Sequence, residues 1–209
     1  MQNARMDSLK AEIAATAARM VVEEGLEYGP AKRRAVKHMG LSARASLPDN
    51  AAVEDAVREY LALFCADTQP GELAALRRLA ALWMARLAPF RPYLVGAVWR
   101  GTATRLSDIH LHLFCDDSKA VDIALIDQHL RYTANTVNSF RGEPTQVLSL
   151  SVRAAELGEA IGLHLTLHDY DDLRHAPGLD AQGRSQRGDL QALTHLLQLQ
   201  QKDPTHAPA

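Results

Sequence analysis

The chain has 209 residues, of which 47% are hydrophobic and 23% are charged, a composition that predicts a folded globular protein and excludes disorder, collagen and coiled-coil repeats. Because 23 Lys and Arg residues nearly balance 25 Asp and Glu residues, the formal charge of −2 argues against binding nucleic acid or a membrane by net attraction. With only Cys65 and Cys115, and no apolar run near the roughly 18 residues of a membrane span, we expect a cytoplasmic protein without a disulfide scaffold or a membrane partner.

The first ninety residues have helical periodicity. Apolar residues recur at intervals of three and four, Pro30 suits the first turn of a short basic helix, and Asp49 or Asn50 is placed to cap the next helix. Helices are predicted over 8–24, over 30–39, from the cap at Asp49 or Asn50 to a break at 69–71, and over 71–88.

After Pro89 the sequence changes to short segments that are rich in β-branched and aromatic residues and bounded by turn residues. Strands are predicted over 93–99, 107–114, 121–126, 145–152 and 163–168, a helical turn over 154–160, and a closing helix over 189–201. The predicted fold class is α+β, with a helical region over 1–70, a domain over 71–202 whose mostly antiparallel sheet is flanked by helices, and a flexible tail over 203–209.

The segment 96–114, GAVWRGTATRLSDIHLHLF, carries the most specific pattern in the chain. Gly96, Gly101 and the run Ser107-Asp108-Ile109 match a known motif in both residue type and spacing. In these residues the chain resembles the small bacterial nucleotidyltransferases of the DNA polymerase β superfamily. The resemblance implies a nucleotidyltransferase-like domain, which would transfer a nucleoside monophosphate from an NTP to an acceptor.

The resemblance assigns nucleotide binding to the beginning of this segment. Glycine lets backbone N–H groups approach a triphosphate closely, because no Cβ intervenes. The implied nucleotide-binding residues are Gly96, Ala97, Gly101 and Ser107, with Trp99 as the aromatic residue suited to a base contact. Ala97 stands where the family has a serine, so a hydroxyl that could bind a phosphate is lost.

Alternate residues of a strand face the same side, so Asp108, His110 and His112 should share one face of the sheet. In the resembled family, carboxylates on this strand and on a neighbouring strand bind two Mg²⁺ ions. The implied metal residues are therefore Asp108 and His110, and the implied cofactor is Mg²⁺ or Mn²⁺. Because His110 replaces a carboxylate, and imidazole suits transition metals better than Mg²⁺, we predict a degenerate metal site.

Two residues compete for the third position of that site. Asp122 lies between apolar residues, as the family's acid does, but a short hairpin would place it near His112, about 13 Å along the strand from Asp108. The strand over 163–168 offers His164, which is not a carboxylate. The predicted catalytic residues are Asp108, His110 and Asp122. A less favoured alternative is a transition metal held by histidines of two strands: His110, His112, His164 and His168.

The helix over 30–39 holds the strongest positive patch of the chain. No acidic residue occurs from Pro30 to Pro48, and basic side chains on one helix can track the phosphates of RNA or DNA. The predicted nucleic-acid-binding residues are Lys32, Arg33, Arg34 and Lys37. Residues 17–42 are also weakly similar to the helix-turn-helix of TetR-type regulators.

These patterns leave two main functions open and predict no oligomeric state. The first is a nucleotidyltransferase with a degenerate metal site and an unknown acceptor. The alternative is a non-catalytic module that keeps the fold and binds a nucleotide or nucleic acid. A DNA-binding regulator whose sheet domain senses a ligand is a third, minor hypothesis.

Overall fold

The computed structural model describes residues 2–202, with the side chains of 6–200, and the predicted tail over 203–209 lies outside this range. The helices are α1 (Gln2–Glu24), α2 (Tyr28–His38), α3 (Asn50–Phe64), α4 (Gln69–Arg86), α5 (Gly96–Arg100), α6 (Ser118–Asp127) and α7 (Leu190–Lys202). The strands are β1 (Tyr93–Val95), β2 (Ile109–Phe114), β3 (Tyr132–Asn138), β4 (Pro144–Ala154), β5 (Glu159–His168) and β6 (Arg187–Gly188). The predicted α+β class is confirmed.

The chain divides into two compact units. Among the described residues, the first comprises 2–70 together with Thr102–Leu106, and the second comprises Gly71–Gly101 together with 107–202. No helix in the part of the chain that the structure describes is long and apolar enough to cross a membrane.

In the first unit, α1 packs against α2 and α3, and small and branched side chains fill the space between these helices. The Asp49 carboxylate caps α3 by accepting a hydrogen bond from the Ala52 N–H at 2.7 Å, which confirms the predicted cap. The segment Thr102–Leu106 joins this unit, because the Gln69 side-chain amide donates to the Ala103 carbonyl at 2.8 Å.

The second unit is built on a six-stranded sheet in the order β3-β4-β5-β2-β1-β6. β2 and β5 pair in parallel, whereas every other neighbouring pair is antiparallel. The sheet is therefore mixed. The prediction of a mostly antiparallel sheet is wrong because the central strands, β2 and β5, are parallel. Parallel strands need a long crossover connection, and the chain between β2 and β5, with α6, β3 and β4, supplies it.

The two faces of this sheet differ in polarity because successive side chains of a strand alternate between them. The apolar face carries Ile109, Leu111 and Leu113 of β2, each fully buried. We name the opposite side the histidine face. Its members on the two central strands are His110 and His112 of β2, and His164, Thr166 and His168 of β5.

Two predicted elements differ in the structure, and a third is confirmed. Residues 121–126 belong to α6 and not to a strand, because the Asp117 side chain caps this helix at the Lys119 N–H, at 2.9 Å. The predicted strand over 93–99 ends at Val95, where Gly96, with φ of +71°, begins α5. The helical turn predicted within 154–160 is present over 155–158, between β4 and β5, where the Gly158 N–H donates to the Ala154 carbonyl at 2.9 Å.

Candidate functional site

Asp108 immediately precedes β2 and is held by two donors on β5. Its Oδ1 accepts a hydrogen bond from the Gly162 N–H at 2.9 Å, and its Oδ2 lies 3.1 Å from His164 Nε2. A Cβ on residue 162 would lie 2.5 Å from the Asp108 Cγ, closer than real contacts allow. Gly162 therefore leaves the space that the Asp108 carboxylate occupies.

His164 connects Asp108 to a third side chain, on β4. The Ser149 hydroxyl lies 2.9 Å from His164 Nδ1, and the two residues are directly opposite each other in the antiparallel pair β4–β5. An ionised carboxylate only accepts hydrogen bonds, so His164 Nε2 is the donor to Asp108, and the Ser149 hydroxyl shares the other hydrogen bond with His164 Nδ1. The three side chains form a continuous hydrogen-bonded row across three strands.

The surroundings of Asp108 favour its charged form. The hydrogen bond with His164 lowers the pKa of Asp108, partial burial acts in the opposite direction, and the Gly162 N–H lowers the pKa further. The net effect places the pKa of Asp108 below its ordinary value. Asp108 is therefore a carboxylate at neutral pH.

The histidine rings lie in pairs across β2 and β5. His110 and His164 are stacked, with ring centroids 4.8 Å apart and 24° between the ring planes, whereas His112 and His168 are tilted by 53° with centroids 4.6 Å apart. Burial is the largest cause that lowers the pKa of His112, to about 3, and burial also lowers the pKa of His168. His112 and His168 are therefore neutral at pH 7, whereas His110 and His164 lie beside Asp108.

This donor set does not fit Mg²⁺. The ion prefers hard oxygen ligands in octahedral geometry, but Asp108 is the carboxylate here, both of its oxygens are engaged, and its neighbours are imidazoles. The paired histidine rings lie against one another across β2 and β5. Within residues 2–202, no group of three or more His, Cys, Asp or Glu side chains is arranged to hold a metal ion.

Asp122, predicted as a catalytic residue, lies on the other side of the sheet from Asp108. Tyr132 is in register with Leu150, and Leu150 with Leu163, so these three side chains project from the apolar face. The Asp122 carboxylate accepts a hydrogen bond from the Tyr132 phenol, which raises the pKa of Tyr132. The structure therefore does not bring Asp122 to Asp108, because residue 122 lies on a helix that packs at the opposite face.

The predicted nucleotide-binding residues divide between the two ends of α5. At its beginning, the backbone of Gly96 adjoins His110, since a Cβ there would lie 3.8 Å from His110 Cδ2. Ala97 is half-buried in the first turn, and Ser107 directly precedes Asp108. Gly101 ends α5 with φ of +83°, so its position is explained by helix termination.

Two further residues around α5 have structural partners. Arg77 of α4, 6% exposed, donates to the Val98 and Trp99 carbonyls at 3.1 and 3.0 Å, and burial lowers its pKa. The Trp99 indole N–H donates to the Ser185 carbonyl at 2.9 Å, and its ring fills the space beside Gly188. The ring that we considered for a base contact therefore anchors the loop before β6.

Two of the predicted nucleic-acid-binding residues on the basic helix α2 bind other groups of the first unit. Lys32 Nζ donates to the Asn50 side chain at 2.8 Å and to the Pro48 carbonyl, and Arg34 pairs with Glu24. Arg33, Arg34 and Lys37 are exposed. Glu24 therefore offsets part of the positive charge on the exposed side of α2.

Ser149 and Gly162 were not identified from the sequence. The alternation in β4 and β5 was visible as SLSV and IGLHLTLH, but the partner of each residue depends on the register between two strands. The sequence did suggest that His164 shares a face with His110, and the structure places them side by side.

No family model matches this chain, and no curated protein matches it. Among solved structures, the chain is similar to the Cid1 poly(U) polymerase with MgGTP bound, at a TM-score of 0.33 and 14% identity over 46% of this chain. The match covers 32% of the polymerase chain, about a third of its length. A TM-score this low carries no argument about fold or activity, so the functional conclusion rests on the site itself.

Proposed function

We propose that the sheet unit is a nucleotidyltransferase-like module that binds the phosphate groups of a nucleotide without a divalent metal and does not transfer them. The observation that carries this proposal is the engagement of Asp108 by Gly162 and His164. A carboxylate with both oxygens already bonded is a poor Mg²⁺ ligand, and the residues stacked beside it are imidazoles.

Beside this carboxylate, the beginning of α5 offers hydrogen-bond donors that suit a phosphate. Imidazole N–H groups and backbone N–H groups at a glycine are hydrogen-bond donors, which phosphate oxygens accept. Gly96 and His110 adjoin each other at the beginning of α5, and Ser107 stands one residue before Asp108. A nucleotide would bind here through its phosphates, with Asp108 holding His164 in place.

The test is calorimetric titration of the four NTPs and their diphosphates into the full chain, once in EDTA and once in Mg²⁺. We expect binding of similar affinity in both conditions, and at least tenfold weaker binding for His110→Ala. The matched control is His195→Ala, because His195 is an exposed histidine of α7. Affinity that requires Mg²⁺, or that is the same for His110→Ala and the native chain, would contradict the proposal.

Nucleotide transfer is the competing function, and it predicts a different result. If the chain is a transferase, NTP turnover requires Mg²⁺ or Mn²⁺ and is lost in Asp108→Asn while the fold is kept. We expect no turnover above background with either metal, measured as pyrophosphate release in the presence of small hydroxyl and amine acceptors and of RNA. Metal-dependent turnover that is lost in Asp108→Asn would show that the chain is a transferase and would reject the metal-free binding function.

Nucleic-acid binding by α2 is a separate proposal, carried by the exposed Arg33 and Lys37. Reversing both charges should weaken binding of RNA or DNA and flatten its salt dependence, because each lost phosphate contact reduces counterion release. The measurement is fluorescence anisotropy over a salt series. Lys10→Glu/Arg19→Glu, on α1, reverses the same number of charges and is the matched control, and equal effects of the two double variants would reject α2 as the contact surface.

A further inference from the structure

β3 forms an outer edge of the sheet, and within the described residues no strand pairs with its outer side. Six of its seven residues are exposed. The segment, YTANTVN, contains no charged residue and no proline, and it pairs with β4 in unbroken register, without a bulge. Edge strands usually carry one of these protecting features, because unpaired N–H and C=O groups invite another strand.

An apolar surface adjoins this edge on α6. Ile123 and Ile126 are 57% and 58% exposed, although both are large hydrophobic residues. Ile126 lies four residues after Asp122, so the two share a side of the helix, and Asp122 contacts Tyr132 of β3. Ile126 therefore lies on the side of α6 that faces the edge strand.

We propose that β3 pairs with β3 of a second copy of this chain, in antiparallel orientation, so that the two sheets become continuous and Ile126 of each α6 helix is covered. Pairing of two strands by their backbones is marginal in water, so the apolar side chains beside the edge supply the additional burial that a stable contact needs.

A second copy is favoured over an unrelated strand by charge and by symmetry. Because β3 has no charged residue, its pairing with itself places no like charges opposite each other, and it offers nothing that would select a charged partner. A two-fold axis near Asn135 places Thr133 of one copy opposite Val137 of the other. Such a closed dimer removes both exposed edges at once.

The test is sedimentation analysis of the full chain over a wide range of protein concentration. We expect a monomer–dimer equilibrium for the native chain. The double variant Thr133→Lys/Val137→Lys and the double variant Thr133→Glu/Val137→Glu should each dimerise at least tenfold more weakly, since like charges then face each other across the edge. An equimolar mixture of the two variants should form the dimer again, because opposite charges face each other.

The matched control for charge is Thr133→Lys/Val137→Glu. It carries the same number of new charges but places Lys of one copy opposite Glu of the other. This variant should dimerise at least as well as the native chain. Circular dichroism checks that each variant is folded. If a strand variant does not fold, Ile126→Lys, on exposed surface outside the strand, replaces it as the variant that should weaken the dimer. A native chain that stays monomeric at every concentration overturns the proposal. A dimer that both like-charge variants keep, or two folded variants that do not associate when mixed, also overturns it.

Discussion

The two faces of the sheet are built from the same strands but differ in what they can do. On β2, Leu111 faces inward and is fully buried, whereas His110, its neighbour in the chain, is half-buried on the histidine face. Leucine on one face gives stability through burial, and polar groups on the other face give a hydrogen-bonded row whose members are exposed enough to meet a ligand. One residue of displacement along a strand therefore separates a buried structural side chain from one that belongs to the proposed binding site.

The largest effect should come from opening a cavity under the apolar face. Leu111→Ala should lower the free energy of unfolding by about 2–5 kcal/mol, because lost burial and a residual cavity add. His110→Ala, one residue away, should cost only about 0.5–1.5 kcal/mol, the contribution of an aromatic pair. Chemical denaturation followed by circular dichroism measures both. Equal losses would mean that the two faces contribute alike to stability.

The histidine face should also make stability depend on pH. Burial, with smaller effects of neighbouring cationic groups, lowers the pKa of His112 from 6.5 to about 3. The unfolded chain takes up this proton near pH 6.5 while the folded chain does not, so stability present above pH 6.5 is lost as pH falls towards 3. Each unit of pKa difference corresponds to about 1.4 kcal/mol.

Replacing His112 should therefore flatten this pH dependence. We expect a smaller slope for His112→Gln between pH 6.5 and 3, with a residual slope because burial lowers the pKa of His168 as well. His195→Gln, which removes an exposed histidine, should leave the slope as it is. The measurement is the free energy of unfolding over a pH series. An unchanged slope in His112→Gln would show that burial does not lower the pKa of His112 in the folded chain.

A smaller effect should come from filling the space beside Asp108. In Gly162→Ala the new Cβ would meet the Asp108 carboxylate at 2.5 Å, so the carboxylate must move and stability should fall by about 1–3 kcal/mol. In the Asp108→Ala background the same change should cost less, since the clashing atoms are gone. A double-mutant cycle gives the difference, which we expect to exceed about 0.5 kcal/mol. Additive losses would contradict the close approach of residues 108 and 162.

The smallest effect should come from the end of the hydrogen-bonded row. Ser149→Ala removes one hydrogen bond and should cost about 0.5–1.5 kcal/mol, and it should also shift the His164 Nδ1 resonance in a nitrogen NMR spectrum. Ser151→Ala, an exposed change two residues along β4, is the matched control and should leave that resonance in place. Equal shifts in the two variants would show that the Ser149 hydroxyl is not hydrogen-bonded to His164 Nδ1.

Local signals predicted much of the fold. The Asp49 cap, the helices before residue 89, and the strands at β2, β4 and β5 all followed from patterns within a few residues. The prediction failed at 121–126, where VDIALI suits a buried helix as well as a strand. The structure has a helix here, because Asp117 caps it and both Val121 and Leu125 are buried on one side. A run this short has no periodicity that distinguishes a helix from a strand.

The candidate site was predicted in part. Alternation along β2 placed Asp108 and His110 on one side of the strand, and the structure has them so, with His110 stacked on His164. Asp122 was assigned to the site from its apolar neighbours, but it packs under β3 on the apolar face. No local pattern identified Gly162. A Cβ at this position would clash with the Asp108 carboxylate, which lies 54 residues away in the chain.

The sequence by itself determined which side chains share a face of each strand and where most helices begin, because these depend on backbone geometry within a few residues. Only the tertiary structure decided that β5 lies parallel to β2, that His164 meets Asp108 at 3.1 Å, and that Asp122 lies beneath the sheet. Strand order and register depend on how separate elements bury their apolar surfaces together, and this long-range packing leaves no pattern within any one segment.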